Sequence, residues 1–260
     1  MSQVARTLRI RPISYLIIPA RLASTRLPRK LLLRETGKSV LQHTYEAASR
    51  ATRPTGICVA ADHEEIARDV QSFGGQVQMT DPAAASGTDR IAEVAARLES
   101  VDIVVNVQGD EPEITGESID QVVGLLEDHP SVPMATLSTP ITTVEQLNDP
   151  ACVKVVFDQQ GKALYFSRSP IPHPRDDIND WLAANPPVFF QHLGIYAYRR
   201  DFLLKIAQMP QSIFEQVEKL EQLRILNAGH TILVGVTNEP TLGIDTIADY
   251  QAFVSRIRHG

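Results

Sequence analysis

Short apolar runs alternate with amphipathic segments through the first half of the chain. Runs typical of buried strands cover residues 15–18, 56–60, 76–79 and 102–107. The segments between them repeat apolar residues at helical spacing, and a Gly-Gly pair closes the second of these helices. This alternation of strand and helix predicts a mainly parallel sheet with right-handed crossovers, which is the α/β class.

The second half continues the pattern less regularly. Run 102–107 is the most apolar of the chain, so we expect it at the centre of the sheet. Asp62 is predicted to cap a helix over 62–73, and the proline-rich segment 173–187 is interpreted as an inserted loop that is mobile or covered by a partner. Further strands are predicted at 132–137, 152–157, 189–198 and 232–236 and from 163, and helices at 119–126, at 213–226 and after 243.

Composition narrows the class of protein. The chain has 260 residues and a net charge of −6, so general binding of nucleic acid is excluded and a basic patch must serve a small anion. No apolar stretch is long enough to span a membrane, and residues 1–11 lack the apolar core of a signal peptide, so we expect a cytoplasmic protein. Cys58 and Cys152 lie in apolar runs without metal-site spacing and are predicted to be buried thiols.

A basic segment follows the first predicted strand. Pro19 breaks the apolar run, and Arg21, Arg26, Arg29 and Lys30 come within the next eleven residues. Ligands of open α/β sheets bind beyond the carboxyl ends of the strands, where four cations would suit a polyphosphate. A solvated basic loop explains these residues equally well when they are taken alone.

The carboxylates Asp110 and Glu111 follow the central strand directly. This position suits a hard cation such as Mg²⁺ held against substrate phosphates, and Asp110 is the sharper candidate. A turn built by Gly109 and Pro112, with both carboxylates facing water, is the alternative.

Two further polar groups have a structural and a functional interpretation. Segment 84–90 (AASGTDR) offers donors and acceptors around a glycine, or simply the start of a helix. His192, Tyr196 and Tyr198 share one face of a predicted strand, which is either a site face or a polar outer face.

Seven motifs occur in one order across nearly the whole chain: IPARLASTRLPRK, VQGDEP, VKVV, ALYFSRSPIP, HLGIYAY, LEQLR and GIDT. Each motif alone is weak, but the ordered set is specific and closely resembles the 3-deoxy-manno-octulosonate (KDO) cytidylyltransferase family. The resemblance implies a Rossmann-like nucleotide-diphospho-sugar transferase fold, a mixed, mainly parallel sheet with flanking helices and a small dimerisation subdomain. It also implies a single domain over 1–260, to which roughly 138–200 contribute an inserted dimerisation and sugar-binding part.

The resemblance further implies an activity and partners. CTP and KDO would give CMP-KDO and pyrophosphate for lipopolysaccharide biosynthesis, with Mg²⁺ as cofactor and a homodimer as the assembly. A cytidylyltransferase for another sugar acid, 8-amino-KDO or sialic acid, is the nearest alternative. A catalytically silent nucleotide-binding protein is a third, against which the intact pair Asp110 and Asp245 argues.

The family's functional residues are carried over position by position. The nucleotide-binding set is Arg21, Arg26, Lys30, Ser86, Gly87 and Thr88; the sugar-binding set is Gln108, Arg168, His192, Tyr196, Glu221 and Gln222; the metal ligands are Asp110 and Asp245; and the catalytic set is Lys30, Asp110, Asp245 and Arg21. The chain departs from the family at Arg29 and Leu31, where Gly and Pro usually flank the lysine, and this bears on the backbone freedom of the loop.

Overall fold

The computed structural model describes residues 11–24, 26–84 and 86–259, so almost all of the segment examined for a signal peptide lies outside the described residues. Within the described residues, one sheet contains nine strands. They are β1 (Ser14–Ala20), β2 (Ile57–Ala61), β3 (Val77–Met79), β4 (Ile103–Asn106), β5 (Met134–Pro140), β6 (Lys154–Phe157), β7 (Ala163–Ser167), β8 (Phe190–Arg199) and β9 (Ile232–Val236). The helices are α1 (Val40–Ala48), α2 (Glu64–Ser72), α3 (Gly87–Ala96), α4 (Gly116–Asp128), α5 (Val144–Asn148), α6 (Ile178–Leu182), α7 (Arg200–Ile206), α8 (Ile213–Glu218), α9 (Gln222–Asn227) and α10 (Ile247–His259). None of the described helices is long and apolar enough to cross a membrane.

The strand order confirms the predicted α/β class. The main path runs β3-β2-β1-β4-β8-β5-β9, and β1 is parallel to both of its neighbours, β2 and β4. β8 lies antiparallel between β4 and β5, so it enters the sheet at the edge where its neighbours end. The β6–β7 hairpin joins β8 through the pair Lys154 and Gln191.

Helices cover both faces of the sheet because its strands are apolar on both sides. Leu16 and Ile18 point into one buried layer with α1, α2, α4 and α10, whereas Ile17 points into the opposite layer with α3, α7 and α9. Every residue of β4 is buried, which confirms its predicted central position. A third small core of Ile141, Leu147, Cys152 and Phe189 lies beside the main body.

Two predictions of local structure were wrong near the first strands. β1 continues through Pro19 to Ala20. The N–H of Leu16 donates to the carbonyl of Gly56 beside β2, so the even-numbered residues of β1 direct their N–H groups to β2 and the odd-numbered ones direct theirs to β4. Pro19 faces the other side, where pairing with β4 has already ended at Ile17, so it removes no bond from the ladder. His63, not Asp62, caps α2 through its ring nitrogen, 3.2 Å from the N–H of Glu65.

The single helix predicted over 213–226 is two helices. Lys219 separates α8 from α9 with a left-handed backbone, at φ 55°. The apolar residues do not share one helical face, since Val217 is 74% exposed while Leu220 is 6% exposed. The carbonyls of Glu218 and Lys219, which the break leaves without a partner inside a helix, accept hydrogen bonds from the guanidinium of Arg168. The segment 173–187 also holds a short helix, α6, that the proline-rich composition concealed.

Candidate active site

A cavity of about 570 Å³ lies where the carboxyl ends of β1 and β4 meet the start of β8. The amino-terminal ends of α3 and α9 close its sides. This is the position that an open α/β sheet offers to a ligand. Of the residues predicted from the sequence, those lining the cavity are Arg21, Lys30, Ser86, Gly87, Thr88, Gln108, Asp110, His192, Tyr196, Glu221 and Gln222.

Lys30 joins the two predicted metal ligands. Its ammonium group pairs with the carboxylate of Asp110 and lies 3.1 Å from Oδ1 of Asp245, and it donates to the carbonyl of Ile244 at 3.0 Å. The lysine side chain is only 15% exposed, so water screens these contacts weakly. Residues distant in sequence therefore converge on one ammonium group.

Backbone contacts hold the carboxylate loops in place. The N–H of Ile244 donates to the carbonyl of Asp110 at 2.8 Å, which fixes the loop before α10 to the loop after β4. Gly109 lets the second loop approach β1, because a Cβ atom there would lie 3.1 Å from the carbonyl oxygen of Pro19. Thr44 of α1 completes the anchor by donating to the carbonyl of Gly109 at 2.9 Å.

Arginines of the basic segment surround the same point. Arg26 lies 2.9 Å from Oδ1 of Asp245 and is largely exposed, and Arg21 lies at the cavity wall. Asp62, which does not cap its helix, accepts the N–H of Leu22 at 2.9 Å and so positions the loop immediately after Arg21.

Arg29 stands where the resemblance leads us to expect glycine, and its backbone is left-handed, at φ 56° and ψ 28°. Such a conformation costs a residue with a Cβ atom about 1 kcal/mol. An ion pair between Arg29 and Glu65 of α2 holds the residue in place. The loop therefore keeps the conformation that glycine favours although the chain lacks glycine there.

The start of α3 meets the start of α9 across the cavity. Ser86 caps α3 by accepting the N–H of Asp89 at 3.2 Å, so the helix-start interpretation of this motif holds. Thr88 donates its hydroxyl proton to Oε2 of Glu221 at 2.6 Å. A residue predicted to bind nucleotide thus contacts one predicted to bind sugar.

Aromatic rings line the cavity along β8. The rings of His192 and Tyr196 are 5.3 Å apart and those of Tyr196 and Tyr198 are 5.8 Å apart, which confirms that the three share one face. Regular strand geometry would separate residues 192 and 196 by about 13 Å. The pairing with β5 skips residues 194 and 195, so a two-residue bulge draws the two rings together.

Thr136 of β5 determines which ring nitrogen of His192 carries the proton. Its hydroxyl oxygen lies 2.7 Å from the carbonyl of Ile195, inside the bulge, and 3.0 Å from Nε2 of His192. Because a carbonyl only accepts, the hydroxyl proton goes to Ile195 and Nε2–H of His192 donates to the hydroxyl. Nδ1 is left as an acceptor, and burial lowers the pKa of His192 to about 3.

Two buried polar side chains lie beside the cavity: Asn106, which had no predicted role, and Glu111, which the sequence offered beside Asp110 as a possible ligand of a cation. Glu111 is 8% exposed, and burial, reinforced by the charges of Asp110 and Asp245, raises its pKa to about 8. Glu111 Oε2 and Asn106 Oδ1 have no hydrogen-bond partner among the residues described here. A polar residue inside the apolar run of β4 was a visible signal for Asn106, whereas nothing in the sequence indicated that Glu111 is buried.

The predicted sugar-binding residues are only partly assembled. Gln222 is 4% exposed, and burial raises the pKa of Glu221 above its usual value. Arg168 is not among the residues that line the cavity, and it donates to the carbonyls of Pro150 at 2.8 Å and Glu218 at 2.7 Å. Its assignment to the sugar stays a prediction.

The carboxylates suit a metal that a substrate helps to hold. Within residues 11–24, 26–84 and 86–259, no three His, Cys, Asp or Glu side chains form a closed metal site. Asp110 and Asp245 nevertheless face one cationic group, the Lys30 ammonium. Two carboxylates with substrate phosphates as further oxygen ligands are the donor set that Mg²⁺ uses in kinases, ATPases and polymerases.

A cationic loop after β1 and carboxylates after β4, at the ligand edge of an α/β sheet, define a nucleotidyltransferase. The profile of the family described as cytidylyltransferase matches residues 15–232, and the chain belongs to that family.

Named relatives resemble the chain over nearly its whole length. A 3-deoxy-manno-octulosonate cytidylyltransferase of Rhodopirellula baltica is 51% identical over 243 residues, covering 93% of this chain and 97% of the relative. An 8-amino-3,8-dideoxy-manno-octulosonate cytidylyltransferase of Shewanella woodyi is 47% identical, covering 93% and 97%. The solved structure of CMP:2-keto-3-deoxy-manno-octonic acid synthetase complexed with CTP aligns with a TM-score of 0.87 and 40% identity, covering 95% of this chain and 98% of that one.

The depressed pKa of His192 makes stability depend on pH in a defined direction. Between pH 6.5, near the pKa of His192 in the unfolded chain, and pH 3, near its pKa in the folded chain, the unfolded chain binds one proton more than the folded chain. Acid therefore favours unfolding. From about pH 6.5 to pH 5 we expect the wild type to lose about 2 kcal/mol more stability than His192→Gln, measured by urea unfolding.

The exposed loop residue His173 supplies the control, since His173→Gln should keep the pH dependence of the wild type. Parallel curves for wild type and His192→Gln would contradict a buried neutral imidazole.

Proposed function

We propose that the protein joins CTP and KDO to give CMP-KDO and pyrophosphate, for lipopolysaccharide biosynthesis. The observation that carries the proposal is the convergence of Lys30, Asp110 and Asp245 at one end of a cavity. The other end holds buried groups that can bind hydroxyls. The full-length similarity to KDO cytidylyltransferases supports the same substrates.

Cations at the β1 end would prepare the leaving group. Nucleotidyl transfer demands mainly positioning and neutralisation of charge. Arg21, Arg26 and Lys30 would bind the β and γ phosphates and draw charge from them, which makes pyrophosphate a better leaving group. The ammonium of Lys30 now balances two carboxylates, so binding of substrate frees it to donate to phosphate oxygens.

Asp110 and Asp245 would hold Mg²⁺ together with the substrate. When bound, the ion supplies positive charge that lowers the pKa of a coordinated hydroxyl and neutralises the phosphates. The carboxylates orient the acceptor sugar toward the α phosphate in this arrangement. No covalent enzyme intermediate is required.

Buried groups at the β8 end would bind the sugar acid. Nδ1 of neutral His192 would accept a hydrogen bond from a sugar hydroxyl. Further acceptors and donors would come from Gln108, Glu221 and Gln222. Arg168 keeps N–H donors beyond those that bond carbonyls, and these would pair with the sugar carboxylate as a fork.

Pyrophosphate release tests the proposal directly. With Mg²⁺ and KDO, we expect turnover with CTP and far slower turnover with ATP or UTP, and EDTA should abolish it. Absence of turnover with CTP and every sugar acid, despite CTP binding in calorimetry, would favour a catalytically silent nucleotide-binding protein.

A second candidate acceptor is 8-amino-KDO, because a relative 47% identical carries that name. The two acceptors differ in one substituent, so the same assay with KDO, 8-amino-KDO and sialic acid compares them by kcat/KM. KDO is expected to give the highest value.

Asp110→Asn tests the role of the metal ligands. Loss of the carboxylate charge should lower kcat at saturating substrates by at least about 100-fold, since the interaction is needed most in the transition state. CTP affinity measured by calorimetry should change far less. Wild-type kcat for the variant would remove Asp110 from the catalytic set.

A homodimer is proposed on exposed apolar surface. Leu164 of β7 is 62% exposed, Trp181 of α6 is 42% exposed, and Phe214 of α8 packs edge-on against Tyr165 while 47% exposed. Segment 138–200 would supply much of this contact. Sedimentation equilibrium should give twice the mass of one chain.

The two buried free cysteines and the need for CTP support a cytoplasmic location.

A further inference from the structure

The contact between Thr88 and Glu221 crosses the cavity from one predicted subsite to the other. Thr88 is 9% exposed at the start of α3, and its Oγ1 lies 2.6 Å from Oε2 of Glu221, the residue before α9. These residues are far apart in sequence, so the contact depends on the packed fold. The sequence predicts a nucleotide contact for Thr88 and a sugar contact for Glu221, and neither prediction involves the bond between them.

The chemistry of the contact limits what Thr88 can do for a nucleotide. A threonine hydroxyl has one proton, and a carboxylate only accepts, so that proton is committed to Glu221. The hydroxyl oxygen can still accept a hydrogen bond. Thr88 therefore has no hydroxyl donor left for cytosine or ribose.

The contact also determines how Glu221 is presented. Glu221 lines the cavity at the break between α8 and α9, where the chain lacks the restraint of a continuous helix. A bond of 2.6 Å to a residue held in α3 fixes one carboxylate oxygen. The second oxygen has no hydrogen-bond partner in the described part of the chain and remains available as an acceptor.

We propose that Thr88 is a positioning residue for the sugar acid: by holding Oε2 of Glu221 it directs the other carboxylate oxygen toward a sugar hydroxyl. This role rests on the proposed function and deepens it. It moves Thr88 from the predicted nucleotide-binding set to the support of the sugar-binding set.

Thr88→Val tests the role, because valine keeps the shape of threonine and removes the hydroxyl. Loss of a hydrogen bond to a carboxylate should raise KM for KDO by at least about tenfold. The dissociation constant of CTP, measured by calorimetry without sugar, should stay within about twofold of the wild type. Thr88→Ser should restore KM to within about threefold, because it restores the donor.

Two comparisons separate positioning from general damage. Thr115 also donates to a glutamate, Glu239, and neither residue lines the cavity, so Thr115→Val should lower thermal stability without changing KM for KDO. In a Glu221→Ala background, Thr88→Val should add less than about threefold to KM, because the acceptor of the threonine hydroxyl is already absent. Thr88→Ala serves as the hydroxyl-free variant if valine prevents folding.

The outcomes are distinct. A weaker CTP complex with unchanged KM for KDO would return Thr88 to the nucleotide and overturn the proposal, as would wild-type values for both, or failure of serine to rescue. A wild type that releases no pyrophosphate with any sugar acid would refute the proposed function and this role together. Normal wild-type turnover with an unaffected Thr88→Val would refute this role alone.

Discussion

The pairing of one partly buried ammonium group with two carboxylates organises the ligand edge of this protein. Lys30, Asp110 and Asp245 come from three separate segments of the chain, and without the ammonium group the two carboxylates would repel each other. Their association brings the start of the chain, the centre of the sheet and the segment before the last helix to one point. The rest of the site is arranged around this point, because the loops that carry these groups also form the walls of the cavity.

The reversed strand β8 gives the cavity its second wall. Parallel strands deliver residues only at their carboxyl ends, so β1 and β4 contribute loops. β8 enters the sheet from that same edge and lines the cavity with its aromatic face. A charged end and an aromatic side thus meet in one cavity, which is the combination expected for a ligand with a polyphosphate part and a polyhydroxyl part.

The sequence predicted the main elements because they are strongly periodic. The central position of β4 and the bounds of β9 follow from local pattern alone. Predictions failed where tertiary contacts decide: Lys219 breaks a helix whose apolar residues lie on different faces, and Asp62 binds a loop instead of its helix. Similarly, most of the residues carried over by motif resemblance line the cavity, but resemblance could not show that Glu111 is buried or that Thr88 binds Glu221.

The bulge in β8 has a consequence for how the site can vary. It inserts two residues, 194 and 195, and two is the repeat of a strand, so His192 and Tyr196 still emerge on the same side. An insertion of one residue would turn His192 into the opposite apolar layer. The arrangement of these rings therefore tolerates an insertion or deletion of two residues but not of one, whereas the loops that bear the cations have no such requirement for an even number.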